Sequence, residues 1–197
     1  LAPYGNPRFS DLIREKLISV SEDGSFQLDM SYFDYATGLT MTNKKFDVLF
    51  GGPPRNSEME ITQRDMDLAA SIQKVIQDIV VKLATGIAKE TGEHNLCLAG
   101  GVALNCVTNG ILLRKKIFKN IWIQPAAGDA GAALGAALSI WYLHHKKNRI
   151  ILKERDAMKG AFLGPEFSDN EIEAELSACG AIYKKCSESD LINDVAS

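Results

Sequence analysis

Four cysteines in 197 residues, none in a CxxC or other metal-ligand spacing, leave no disulfide framework and no zinc knuckle to organise this chain. No apolar run reaches the ~18 residues of a membrane span, and no secretory leader opens the sequence. Neither sign of charge dominates: the net charge is −3, which gives nucleic acid or an anionic membrane nothing to hold. No internal repeat or low-complexity tract is present. Walker A, full GxGxxG, Ser-His-Asp, Cys-His and HxxxH patterns are all missing, so P-loop, Rossmann and nucleophile-triad chemistry have no footing. What remains is 46% hydrophobic and 24% charged, an ordinary globular composition expected in the cytoplasm. Cys97 and Cys106 lie in apolar stretches and are expected to act as small core residues.

Both ends read as cuts. Leu1 enters a Pro/Gly-rich strip up to Pro7, and the chain stops at Ser197 inside a helix that Ser187 begins. The expectation is an excised segment.

Periodicity orders the interior. Residues 8–20 and 43–50 carry short helical patterns, and Phe26, Leu28, Met30 and Tyr32 alternate like a half-buried strand. Gly51-Gly-Pro-Pro54 breaks the chain and leaves Arg55 in a loop, where it meets an anion or is simply solvated. Thr62 and Asp65 form a capping box ahead of a long helix whose apolar row runs from Met66 to Ile87 and ends at Gly92. Two strand–glycine turn–helix units follow. Asn95–Leu98 runs into Ala99-Gly-Gly101 with helix formers from Val102 to Lys116. Asn120–Gln124 runs into Pro125-Ala-Ala-Gly-Asp-Ala-Gly131 with a small-residue helix to about Lys147. This is the grammar of an α/β domain whose ligands sit at strand C-termini. Beyond Gly164-Pro165, a capping box at Ser168 and Glu171 predicts a short helix to Gly180, and Ala181 to Cys186 a strand.

Gly100 and Gly101 leave the backbone bare at a strand end, and the N–H groups that follow suit phosphate oxygens; tight packing is the competing explanation. Asn105, about a turn further on, carries an amide suited to a phosphate or a ribose hydroxyl. Asp129 lies in the second turn, beside Gly128. Its carboxylate either caps the next helix or supplies a hard oxygen to a phosphate-bridging metal. Gly131 and Gly135 give a small helix face for close packing. His94, His144 and His145 lack the i, i+4 spacing of a metal pair and read as structural.

At these residues a family becomes recognisable. Leu98-Ala-Gly-Gly-Val-Ala-Leu-Asn-Cys106 with Ile121-Trp-Ile-Gln-Pro-Ala-Ala-Gly-Asp-Ala-Gly131 resembles the nodulation-type O-carbamoyltransferases. So do Asp47-Val-Leu-Phe-Gly-Gly-Pro-Pro-Arg55, Asp67-Leu-Ala-Ala-Ser-Ile-Gln73 and Phe162-Leu-Gly-Pro-Glu166, in the same order. The resemblance implies the second half of an actin-like ATPase (ribonuclease H-like) domain over residues 1–150, its sheet flanked by helices. Residues 151–197 would be a connector and the start of a YrdC-like domain. It implies that carbamoyl phosphate and ATP give carbamoyl adenylate, whose carbamoyl group passes to a hydroxyl-bearing small molecule, with an Fe2+-type metal bound. It also implies that Gly100, Gly101, Asn105 and Gly128 meet nucleotide and that Asp129 is a metal ligand. The family's HxxxH pair, which supplies other metal ligands, is not in this sequence, so weak nucleotide binding without turnover is expected. Exposed core faces of a half-domain would also allow a homodimer. A hydrogenase-maturation or tRNA-modifying relative and a non-catalytic nucleotide-binding module of the actin-like superfamily are the alternatives.

Overall fold

The computed structural model describes residues 1–151 and 158–196, which divide into two units, Leu1–Lys147 and Asn148–Ser197. Of the connector expected from residue 151 onward, residues 152–157 lie outside the described part. Among the described residues, no helix is long and apolar enough to cross a membrane.

The first unit is built along one helix, α3 (Gln63–Thr91). It starts where the sequence places it. The Asp65 amide donates to Thr62 Oγ1 at 3.4 Å, and Thr62 N–H donates back to Asp65 Oδ2 at 2.9 Å. It ends at Gly92, whose φ of 68° is the left-handed geometry that releases a helix C-terminus. At 1.5 Å per residue it is roughly 44 Å long, enough to serve two cores.

Its N-terminal half packs on α1 (Ser10–Lys16), the hairpin β1 (Ile18–Val20) and β2 (Phe26–Leu28), and α2 (Lys44–Leu49). Ile13, Leu17, Ile18, Phe50, Val75 and Ile79 are buried there, and the Phe9 and Phe46 rings lie 5.5 and 4.6 Å from the Phe50 ring. Polar residues set into the apolar row of α3 fasten the chain start. Asp67, only 3% exposed, accepts from Asn6 N–H and pairs with Arg8 Nε, and Ser71 Oγ accepts from Phe9 N–H. The Asn6 N–H, first, and then the Gln63 amide and Arg8 hold the Asp67 carboxyl below the usual carboxylate range.

The C-terminal half of α3 packs with α4 (Cys106–Lys115) on one face of a parallel pair, β3 (Asn95–Leu98) and β4 (Asn120–Ile123). Ala84, Leu112 and Phe118 are buried against Leu96, Leu98 and Ile121. The opposite face carries Cys97 beside Trp122, both exposed. α5 (Ala130–Ser139) continues into a wider, π-type turn, Ile140–His144. The second unit holds α6 (Asp169–Ala178) and α7 (Glu188–Ala196). Ser168 and Glu171 cap α6 reciprocally, and Gly180 follows it with φ of 69°.

The result is a mixed α/β unit, and several elements differ from expectation. The helical pattern of 8–20 splits into α1 and β1, because Ile18–Val20 is captured by hairpin pairing with Phe26–Leu28. The alternation from Phe26 to Tyr32 stops at Leu28. There the Asp29 carboxylate accepts from Ser31 N–H at 2.9 Å and turns the chain into a 3-10 turn, Met30–Tyr32. Ala181–Cys186 forms no strand; among the described residues no edge pairs with it, and Lys185 is held by Asp169 and Glu173 of α6. Among the described residues of the first unit, helices pack on one face of the sheet. Cys97 and Cys106 are exposed rather than core, Cys97 because it lies on the uncovered face.

Candidate functional site

β3 and β4 run parallel in register, Leu98 opposite Ile123, so both chains leave the sheet at the same end. There the two glycine turns meet. Gly100 N–H donates to the Ala127 carbonyl at 2.8 Å, and Gln124 N–H donates to the Leu98 carbonyl at 3.1 Å.

Gly100 has φ 94° and ψ 159°, a conformation side chains rarely adopt. Gly101 then opens a 3-10 turn, Gly101–Leu104, whose first internal bond runs from Ala103 N–H to the Gly100 carbonyl at 2.9 Å. The expected helix from Val102 therefore begins at Cys106 instead. The N–H groups of Gly101 and Val102 precede that first bond. A Cβ built on Gly100, Gly101 or Gly128 would meet nothing within 4 Å, so space within this chain does not account for those three glycines. Gly131 differs: a Cβ there would lie 2.0 Å from the Ala126 carbonyl oxygen. Close packing explains Gly131 fully.

Asn105 caps α4, its Oδ1 accepting from Thr108 N–H at 3.1 Å. Its amide is also paired face to face with Gln73 of α3: Asn105 Nδ2 donates to Gln73 Oε1 at 2.9 Å, and Gln73 Nε2 donates to Asn105 Oδ1 at 3.2 Å. Both ends of the Asn105 amide are thus engaged inside the fold. Gln73 also donates to Thr108 Oγ1 at 3.3 Å, which ties the long helix to the first glycine turn. Sequence reasoning singled out the Asp67–Gln73 stretch but missed this role for Gln73. The signal was a polar residue flanked at helical spacing by Ala69, Ala70 and Ile76.

Asp129 stands at the N-cap position of α5 but makes no side-chain cap bond. Its φ of −58° and ψ of −35° are already helical, whereas a capping side chain needs the extended geometry of a true N-cap. The carboxylate is exposed in the second turn and does not cap α5. Gln124 Oε1, at the entry to the same turn, is buried without a hydrogen-bond partner. Leaving a buried acceptor unmet costs about 1–3 kcal/mol, and sequence gave no hint of it. Beneath the first turn lies an apolar cavity of about 200 Å³, bounded by Ala99, Val102, Ala103 and Leu112 among others.

The remaining candidates lie elsewhere. Arg55 Nη1 donates to the carbonyls of Asn56, Ser57 and Met59 and so closes its own loop. His144 and His145 are exposed and stacked edge to face, 5.1 Å between ring centres. No group of three or more His, Cys, Asp or Glu side chains that could hold a metal occurs among the described residues. Asp129 alone does not make a transition-metal site, which takes three or more protein ligands.

Comparison with known proteins places this geometry. The chain is 56% identical over its whole length to the uncharacterized protein sll1178 of Synechocystis sp., of which it covers 32%. It is 37% identical over 91% of its length to the nodulation protein NolNO of Sinorhizobium fredii, and 34% identical over 90% to NolO of Bradyrhizobium diazoefficiens, covering 24% and 30% of those proteins. It thus spans about a third or less of the relatives it matches. Residues 1–138, which include both glycine turns and Asp129, match the carbamoyltransferase N-terminus family, and the chain belongs to that family.

Proposed function

We propose that the two glycine turns form the nucleotide side of an O-carbamoyltransferase site, acting in the cytoplasm as part of a longer protein. The observation that carries this is the Gly100 N–H bond to the Ala127 carbonyl, which joins the turns at one end of the sheet in a chain of this family. Gly100, Gly101 and Gly128 expose backbone at which a phosphate chain of ATP can lie without meeting a Cβ. Gln124 Oε1 is a buried acceptor that a ligand hydroxyl or amine would satisfy. Asn105, with its amide in use, positions the first turn from below. Asp129 brings one exposed carboxylate to the second turn, too few donors for the iron-type metal.

In the reaction, carbamoyl adenylate made from carbamoyl phosphate and ATP presents its carbonyl carbon to a hydroxyl of a small-molecule acceptor. The acceptor oxygen bonds to that carbon, the bond from carbon to the AMP phosphate oxygen breaks, the hydroxyl proton goes to solvent, and AMP leaves. The part of this chain is to hold the adenylate phosphate by backbone N–H groups while the transfer occurs.

Calorimetric titration with ATP tests this. Gly101 lacks a positive φ and has open space at Cβ, so Gly101→Asp is compatible with the fold but sets a carboxylate in the cradle. ATP affinity should fall at least ~10-fold, about 1.4 kcal/mol, while Gly101→Ala stays near wild type in melting temperature. Unchanged ATP binding in Gly101→Asp refutes the cradle. The 197-residue chain alone should bind ATP weakly and transfer no carbamoyl group.

A further inference from the structure

Gln124 follows β4 with its backbone engaged and its side-chain oxygen orphaned. Its N–H donates to the Leu98 carbonyl at 3.1 Å, which fixes the residue beside the first glycine turn. The register sets Ile123 opposite Leu98, so Gln124 lies alongside Ala99 and one residue from Gly100. With strands ~4.8 Å apart and residues ~3.8 Å apart, its Cα is roughly 6 Å from that of Gly100. Gly128 is one helical turn's worth of chain further on. Oε1 is closed to solvent and accepts from no donor among the described residues. A side chain at a strand end can meet a protein donor or reach water. Here it does neither, which destabilises the free chain.

An amide oxygen only accepts, so whatever completes it must donate. That excludes the phosphate oxygens and the carbamoyl carbonyl. We infer that Gln124 recognises the carbamoyl amino group, an inference that rests on the two turns holding the phosphate of an adenylate. In carbamoyl adenylate that NH2 is three bonds from phosphorus, through the ester oxygen and the carbonyl carbon. The nearest ribose hydroxyl is five bonds away, and the adenine amine is further. The acceptor's hydroxyl gives its proton to solvent, which Oε1 does not touch. A phosphate held by the turns therefore brings the carbamoyl NH2 closer to Gln124 than any other donor of the adenylate. The substrate class so selected is the carbamoyl ester over an acyl ester of the same size. In the latter a methyl replaces NH2 and the buried oxygen stays unmet. The adjoining Ala126-Ala-Gly128 has no side chain beyond Cβ to bar the approach, so a small shift of the second turn admits the group.

Two non-hydrolysable adenylate analogues test this: adenosine phosphonates bearing a carbamoylmethyl or an acetonyl group, which differ only in NH2 against CH3. Ligand-observed NMR titration gives the Kd of each for the 197-residue chain. The carbamoylmethyl analogue should bind at least ~10-fold more tightly. Gln124→Met is close in volume but has no oxygen, so it should bring the two affinities together. By removing the orphaned acceptor it should also raise the melting temperature by about 2–4 °C. Gln124→Glu offers an acceptor however its carboxyl rotates; its charge weakens both analogues alike, and the preference should persist. Equal affinities in wild type, or a preference that Gln124→Met leaves unchanged, overturn the inference. So does a lower melting temperature in Gln124→Met, because the oxygen then has a partner inside the fold. ATP titration separates this failure from that of the cradle. If wild type binds ATP but does not distinguish the analogues, only the role of Gln124 is lost. If it binds neither ATP nor the analogues, both readings fail.

Discussion

Removing the Asn105 side chain should loosen the fold whether or not a nucleotide is present, because its amide serves two structural purposes at once. Asn105→Ala deletes the N-cap bond to Thr108 N–H, about 1 kcal/mol by analogy with other caps. It also strips Gln73 Oε1 of its donor at a part-buried position, a further ~1–2 kcal/mol. The sum, about 2–3 kcal/mol, corresponds to a drop of roughly 4–12 °C in melting temperature at 2–4 °C per kcal/mol for a chain of this size. Gln73→Ala keeps the cap but loses the pairing and the bond to Thr108 Oγ1, so about 1–2 kcal/mol. Each single variant includes the cost of an orphaned partner, which the double variant does not. The double variant should therefore cost ~1 kcal/mol less than the sum of the singles. Asn105→Asp keeps the two bonds that Oδ1 accepts and suits a helix N-terminus, but leaves Gln73 Oε1 without its donor, so it should cost about 1 kcal/mol less than Asn105→Ala. Urea unfolding followed by far-ultraviolet circular dichroism gives all four values. Additivity of the singles within about 0.3 kcal/mol would show that the two amides are not coupled and would refute the argument.

Two glycines four residues apart in α5 should respond oppositely to alanine. Gly131→Ala drives a Cβ to 2.0 Å from the Ala126 carbonyl oxygen and should lower the melting temperature by several degrees, whereas Gly135→Ala meets nothing and should raise helix stability by ~0.5–1 kcal/mol. Thermal melts of the pair decide it, and equal effects would contradict the close approach at Ala126. Acid should release the chain start. The Asp67 carboxyl is held below 3.8 by Asn6 N–H, Gln63 and Arg8, so its contribution is complete above pH 3.8 and is lost as the pH falls through the lower folded value. Exchange at the Asn6 amide should therefore accelerate in that window in wild type and be insensitive to it in Asp67→Asn, which keeps an acceptor for Asn6 N–H; parallel profiles would remove Asp67 as the clasp.

Elements defined by local chemistry were legible in the sequence. The Thr62 and Ser168 capping boxes, the Gly92 terminus and the apolar row of α3 each depend on residues within a turn of one another, and each appears where the pattern puts it. Elements defined by a partner outside their own segment were not. Ile18–Val20 has helical spacing on its own and becomes a strand only because Phe26–Leu28 offers an edge; Ala181–Cys186 has strand composition and stays irregular because nothing does. The site divides in the same way. Backbone permissiveness at Gly100 is a local property, readable as a glycine pair after a short apolar run. What the neighbouring side chains do is set by packing, which reassigned Asn105 to Gln73 and left Gln124 Oε1 without a donor. These two outcomes run in opposite directions and both support the proposed site. A polar group already satisfied by the fold contributes placement. An unsatisfied buried acceptor and an exposed carboxylate beside Gly100, Gly101 and Gly128 are what the proposed ligand would complete, and all of them lie where β3 and β4 end side by side.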